Sequence, residues 1–417
     1  MRKPQIWPAV IGNSLEWYDF SLYGYLAALL APLFFAHTAD LNSLLTAFSL
    51  YAIGFVMRPL GAVFFGHYAD RYGRKQMLSV AIILMGLATT LIGVLPTYAN
   101  IGIWAGILLL GCRLLQGFAL GGEFGGSAVY IIEQAPLSQR GLYGSLSMAG
   151  TFLGLLLGAI VTSLLQSLLT QSQMSSFGWR LPFLSSFILA GLGLYLRFKM
   201  PESTLFLSNR AQLIRKPWLK LWQNHKWALF QATLIVWLSA LSFTLSFIFL
   251  PFYFQHYYGF ATGKTLGQNC LCMLVCAVFI TVFGYSSDKI GRKPLLLTAA
   301  MAAFGLSYPL FWQFNQAADI LHGFFLQLGL SLITGLICSV NSTLLAELFP
   351  LSVRCTGFSL AYNLANALFG GTALAFLTWA IAKTDNLLMP GYYLSLTGLL
   401  VLIGLFRLKD RCRFELS

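Results

Sequence analysis

Apolar stretches of about 20 residues recur along the whole chain, parted only by short polar breaks. At about 1.5 Å of rise per residue, a helix of that length crosses roughly 30 Å of hydrocarbon. The chain is 58% hydrophobic and 9% charged, with a mean hydropathy of +0.74, so its composition excludes an ordinary soluble protein. Only helices and closed barrels satisfy their backbone in lipid. Barrel strands alternate polar and apolar positions, and runs such as "FILAGLGLYL" (187–196) do not, which leaves an all-α integral membrane fold. Spans are expected at about 6–35, 43–67, 77–96, 101–132, 142–168 and 179–198, then 227–256, 263–285, 294–314, 319–346, 355–382 and 389–407. That makes about twelve transmembrane helices.

The net charge of +13 is distributed by topology. Lys and Arg crowd the termini and the even-numbered loops, so the positive-inside rule puts both termini in the cytoplasm. No nucleic-acid partner is needed to explain the charge, and none of the aromatic interleaving of such sites accompanies it. The opening "MRKPQIW" leads into a segment too long and too acidic for a signal peptide, so it reads as the retained first span. The seven cysteines form no disulfide framework. Cys272 and Cys276 share a helix face, but with no His or acid nearby they read as apolar packing rather than a soft-metal site.

The chain is a duplicated half. "GHYADRYGRK" from Gly66 and "GYSSDKIGRK" from Gly284 share G-x-x-x-D-x-x-G-R-K, and "EQAPLSQR" from Glu133 and "ELFPLSVR" from Glu347 repeat in the same order. The pattern predicts an N-terminal six-helix bundle (1–198), a cytoplasmic linker (199–226) and a C-terminal bundle (227–417), related by a pseudo-two-fold along the membrane normal. The paired loops resemble the signature loop of the major facilitator superfamily. "GNSLEWYDFSLYG" (12–24), "RPLGAVFFGHYADRYGRK" (58–75), "RLLQGFALGGEFGGS" (113–127), "WRLPF" (179–183) and "MPEST" (200–204) narrow the resemblance to its metabolite:proton symporters. That family includes α-ketoglutarate, citrate, shikimate, dicarboxylate and proline/betaine carriers of bacterial inner membranes. The resemblance implies alternating access coupled to proton entry. An osmosensing proline/betaine carrier would be expected to continue into a long coiled-coil tail, and no heptad region follows the last span here.

Charges inside spans are costly, about 2.5–3.5 kcal/mol each at midplane on an insertion scale, so they face inward and mark function. Glu16 and Asp19, three apart on one helix face, reach that depth together with Arg58 and Glu123. A carboxylate pair beside an arginine is a way to hold one exchangeable proton. Asp19 or Glu16 is therefore expected to take the coupled proton with Arg58 as counter-ion, the alternative being a static ion cluster that fixes helix packing. Glu123 sits between the glycines of "GGEFGG", at a tight helix contact or in a proton relay. Arg113 is expected nearer the external mouth, either drawing in an anion or binding a substrate carboxylate, the alternative being a snorkelling or paired interfacial arginine.

Asp70, Arg71, Arg74, Glu133 and Arg140, with Asp288, Arg292, Glu347 and Arg354, read as a cytoplasmic gate that ion pairs hold shut. The second half has no midspan acid, so its contribution must be neutral. Candidates there are Gln268, Asn269, Gln327, Asn341, Asn363 and Asn366, with Tyr18, Tyr23 and Trp237 as aromatic walls. "FATGKT" (260–265) lacks the first glycine of a nucleotide loop, so no cofactor and no enzymatic step are expected and a gradient must drive transport. The expectation is a monomeric proton symporter importing a small organic acid or zwitterion. A drug or siderophore exporter on the same fold and a non-transporting receptor are its rivals.

Overall fold

A computed structural model of the chain describes residues 6–35, 53–208, 216–406, 408 and 410. Every regular element among them is a helix. In chain order the long ones are α1 (Trp7–Phe34), α2 (Arg58–Tyr72), α3 (Arg74–Val94), α4 (Ile103–Gln134), α5 (Arg140–Leu168) and α6 (Arg180–Lys199). After the linker come α7 (Lys226–Tyr258), α8 (Thr262–Ile290), α9 (Arg292–Ala317), α10 (Ile320–Leu348), α11 (Arg354 to Thr384) and α12 (Met389–Leu405). These twelve match the expected spans to within a few residues, although part of the second span lies outside the described residues.

Each half packs by the same scheme. In the first, α1 lies on α5, α2 on α4 and α3 on α6; in the second, α7 lies on α11, α8 on α10 and α9 on α12. The halves meet along α5 against α8 and α2 against α11. Side chains that would be a liability in water, such as Ile103, Phe187, Ile188 and Ile403, stand exposed around the outside, where lipid is the solvent.

Local sequence sets the joints. Gly73 and Gly291, the glycines of the two repeated loops, have φ of 118° and 98°, a region that only glycine enters freely, so each joins two helices through one residue. The linker forms two short helices, Thr204–Ser208 and Pro217–Asn224. Two features were not foreseen: α7 and α11 each pass through a π-helical turn, at Leu245–Phe249 and Asn366–Gly370. A π turn breaks the regular hydrogen-bond ladder, and the carbonyls around both find side-chain partners. Gln327 Nε2 donates to the Ser246 carbonyl at 2.8 Å, Asn269 Nδ2 to that of Phe247 at 3.3 Å, and Thr244 Oγ1 to that of Gly370 at 3.3 Å.

Candidate functional site

Helix α1 presents two faces with different chemistry. One turns into the first bundle and carries the acids. Asp19 accepts a hydrogen bond from Ser186 Oγ of α6, and Glu16 lies against the Glu123 carboxyl of α4. Glu123 in turn forms an ion pair with Arg197 of α6, and both side chains are fully buried. The guanidinium of Arg197 occupies the space a Cβ would need at Gly12, so that glycine is what lets it reach the cluster. The glycines around Glu123 do the same for neighbouring helices: Gly121 abuts the backbone of α2 at Arg58 and Gly61, and Gly125 abuts Ser359 of α11.

Glu16 and Glu123 therefore converge on one guanidinium, which belongs to Arg197 rather than to Arg58, while Asp19 lies beside Glu16 with Ser186 as its partner. The described contacts of Arg58 are aromatic, with its guanidinium carbon 5.4 Å from the Trp17 ring centre, 4.4 Å from Phe20 and 3.9 Å from Phe55. Arg113 stacks on the same Phe20 at 4.8 Å and on Tyr23 at 4.3 Å, and bonds Gln116 at 2.7 Å. It is fully buried, so it does not snorkel. One phenyl ring thus separates the two cations.

The other face of α1 looks between the halves. Trp17 joins Thr151 and Phe152 of α5, Ser239 and Phe243 of α7, Cys338 of α10, and Tyr362 and Asn366 of α11 around a cavity of about 20 Å³. That holds about one water, so the site is closed around aromatic walls. Among the described residues no carboxylate lines it. Toward the end away from the charged loops, Phe243 also borders a larger space of about 220 Å³ lined by Ser21, Tyr25, Phe247, Pro251 and Asn269.

Of the expected substrate contacts, Asn366 alone lines the central cavity. Tyr18 bonds Ser185 of α6 and Tyr23 packs on Arg113, so both face the interior of the first bundle. Asn363 donates to the Gly121 carbonyl at 2.8 Å, tying α11 to α4. Trp237 stacks on Phe369 at 4.0 Å in a groove on the outer surface. Gln268, Asn269 and Gln327 form a bonded chain that serves the α7 turn, and Asn341 bonds Ser239 at 3.0 Å. Among the described residues no three metal-ligating side chains converge; Cys276 has Cys272 and Cys338 as neighbours, and Cys272 contacts Ser331.

The charged loops make a two-fold clasp. Asp70, at the end of α2, accepts from the Cys355 and Thr356 amides at 3.0 and 2.9 Å and from Thr356 Oγ1 at 2.8 Å, capping the start of α11 in the other half. Asp288, at the end of α8, accepts from the Gly141 and Leu142 amides at 2.7 and 2.9 Å, capping the start of α5. A helix N-terminus favours an anion, so each aspartate holds the opposite half by its positive end. Glu133 is the central node, 3.0 Å from Arg74 in its own half and 3.1 Å from Arg354 in the other. Arg292 pairs with Asp288 at 3.0 Å and Glu347 at 3.4 Å, while the Arg140 carbonyl accepts from Thr343 Oγ1 at 3.0 Å. Arg71 stands outside the clasp, exposed and stacked on Tyr72.

Two further acids brace the clasp. Glu202 of the linker accepts from the Arg74 and Lys75 amides at 3.0 and 3.2 Å, capping α3, and Asp410 accepts from the Lys293 amide at 3.0 Å, capping α9. Their signal lay in the sequence: each follows the last helix of its half and meets the glycine of its repeated loop.

Comparison with known proteins gives a consistent picture. The family model described as "Sugar (and other) transporter" matches residues 6–216 and again 208–411. The glycine betaine/proline/ectoine/pipecolic acid transporter of Dickeya dadantii is 33% identical over 95% of this chain and 81% of its own. The proline/betaine transporter of Escherichia coli is 30% identical over 96% and 82%. Among solved structures, the proton:xylose symporter XylE bound to 6-bromo-6-deoxy-D-glucose superposes with a TM-score of 0.80 at 20% identity, over 98% of this chain and 96% of that one.

Proposed function

The chain belongs to the sugar (and other) transporter family of the major facilitator superfamily, and from that premise we propose that it is a proton-coupled symporter for a small organic acid or zwitterion. The observation that carries the proposal is the division of α1, with acids on one face and the wall of the central cavity on the other. A helix that shifts when substrate enters also moves Asp19 and Glu16 against α4 and α6.

The proton sits on the Asp19, Glu16 and Glu123 cluster. Glu16 and Glu123 share one arginine and Asp19 has only a hydroxyl partner, so the three cannot all be charged in a dry bundle; the cluster takes up a proton when it is closed off and gives it up when water reaches it. Arg58 stands behind Trp17 and supplies the positive potential that a substrate carboxylate seeks. The rings of Trp17, Phe152, Phe243 and Tyr362 suit the other end of a zwitterion, since an ammonium is attracted to ring faces. The relatives named as betaine and proline transporters carry such substrates. A receptor has no use for the acids.

Transport proceeds by alternating access of bundles 1–198 and 227–417 joined by linker 199–226, with the clasp on the cytoplasmic side of a bacterial inner membrane, both termini cytoplasmic, and the monomer as the working unit. The clasp is closed in this state, which makes the space beyond Phe243 the entry path. The test is a thermal-shift screen of organic acids, amino acids and betaines, followed by uptake of each hit into proteoliposomes. Stabilisation by a small carboxylate that is then taken up is the expected result; stabilisation by none of them contradicts the substrate class.

A further inference from the structure

The outer surface carries a groove of about 950 Å³ between α7, α11 and α12 that the transport reading does not use. Its floor on α7 is Trp227, Phe230, Leu234 and Trp237, and Leu400, Ile403 and Phe406 line it from the other side. From Trp227 to Trp237 the helix rises about 15 Å, half of a hydrocarbon core of roughly 30 Å. The groove therefore has the length of one acyl chain in one leaflet.

The end of the groove near the charged loops is cationic and aromatic. Lys226, exposed, precedes Trp227 at that end. The linker helix Pro217–Asn224 lies beside this end, packed on α2, α7 and α11 through the buried Leu221. Trp218 and Trp222, one turn apart, are 46% and 67% exposed, and Lys216 is exposed on the same segment. Tryptophan favours the headgroup layer, and each lysine at an anionic surface attracts it by about 1 kcal/mol, close to fivefold in affinity.

We propose that this groove and its lysine rim form a binding site for an anionic phospholipid, with one acyl chain along α7 and the headgroup at Lys226. The site touches the transport machinery. Trp237 stacks on Phe369 within the α11 π turn, and Tyr362 and Asn366 of that helix line the central cavity. A chain in the groove braces the turn from outside.

The experiment is native mass spectrometry of the full chain purified from equal phosphatidylglycerol and phosphatidylcholine. Wild type is expected to retain phosphatidylglycerol preferentially. Thr233→Phe, which fills the groove, is expected to lose bound lipid of both kinds. Lys226→Gln is expected to lower phosphatidylglycerol retention about fivefold and leave phosphatidylcholine unchanged. Equal retention of the two lipids by wild type overturns the headgroup site, and full retention by a folded Thr233→Phe overturns the groove. If Thr233→Phe fails to fold, undiminished phosphatidylglycerol retention by Lys226→Gln overturns the proposal. None of these readings depends on transport, so they stand apart from the fate of the symporter proposal.

Discussion

At the scale of single residues, the acids of α1 separate by what they touch. Asp19 has a neutral partner in Ser186, so Asp19→Asn keeps a hydrogen-bonding shape and is expected to preserve folding and substrate exchange while losing uphill accumulation. Exchange counterflow against gradient-driven uptake separates the two. Glu123 has a charged partner, and Glu123→Gln breaks the ion pair and leaves the buried Arg197 with only Glu16 to offset it, a cost of up to about 3–5 kcal/mol. A large drop in melting temperature is expected, and restoring it with Glu123→Gln/Arg197→Gln would attribute the cost to the stranded cation. The depth of Glu16, Asp19 and Glu123 was legible in the sequence because helix rise is constant. Their partner was not. Arg197 stands only two residues before Lys199 at a basic helix end, where topology explains any arginine, and only the packing of α6 on α1 beside Gly12 turns it inward.

At the scale of elements, the repeat predicted the clasp, and the structure supplies its chemistry. The sequence suggested pairs of opposite charges; the stronger contacts are aspartates on the bare amides of helices α5 and α11 from the opposite half. Hydrogen bonds to a charged group contribute about 1.5–3 kcal/mol each, so Asp70 with three of them dominates its corner. Asp70→Ala is expected to open the clasp end, read as faster labelling of the buried Cys355 in a chain whose other cysteines are replaced by serine, with uptake reduced at least about tenfold. Unchanged labelling would mean that Asp70 only caps. The π turns lay beyond sequence reasoning, because "TLSFIFL" (244–250) and "NALFGG" (366–371) carry no signal that sets them apart from a regular span. Their supporting amides, Asn269 and Gln327, were visible, but as candidate ligands; a buried amide says that something polar is near without saying whether it is substrate or backbone.

At the scale of the whole molecule, the two halves share a packing scheme but not a charge pattern. The first bundle holds every midspan acid, and the second contributes neutral and aromatic groups and the two π turns that fall inside long helices, a third at Met174–Gly178 lying between α5 and α6. The account therefore makes the first bundle the proton domain and α1 its link to the cavity. Gradient energy suffices for this, since one charge across 100 mV supplies about 2.3 kcal/mol. The most direct test is to reconstitute the protein in liposomes holding a pH-sensitive dye, with no imposed gradient, and add a substrate found by thermal shift. The account predicts that substrate entry acidifies the lumen and that Asp19→Asn abolishes the acidification while binding persists. Substrate entry with no change in lumen pH in the wild-type protein would contradict it.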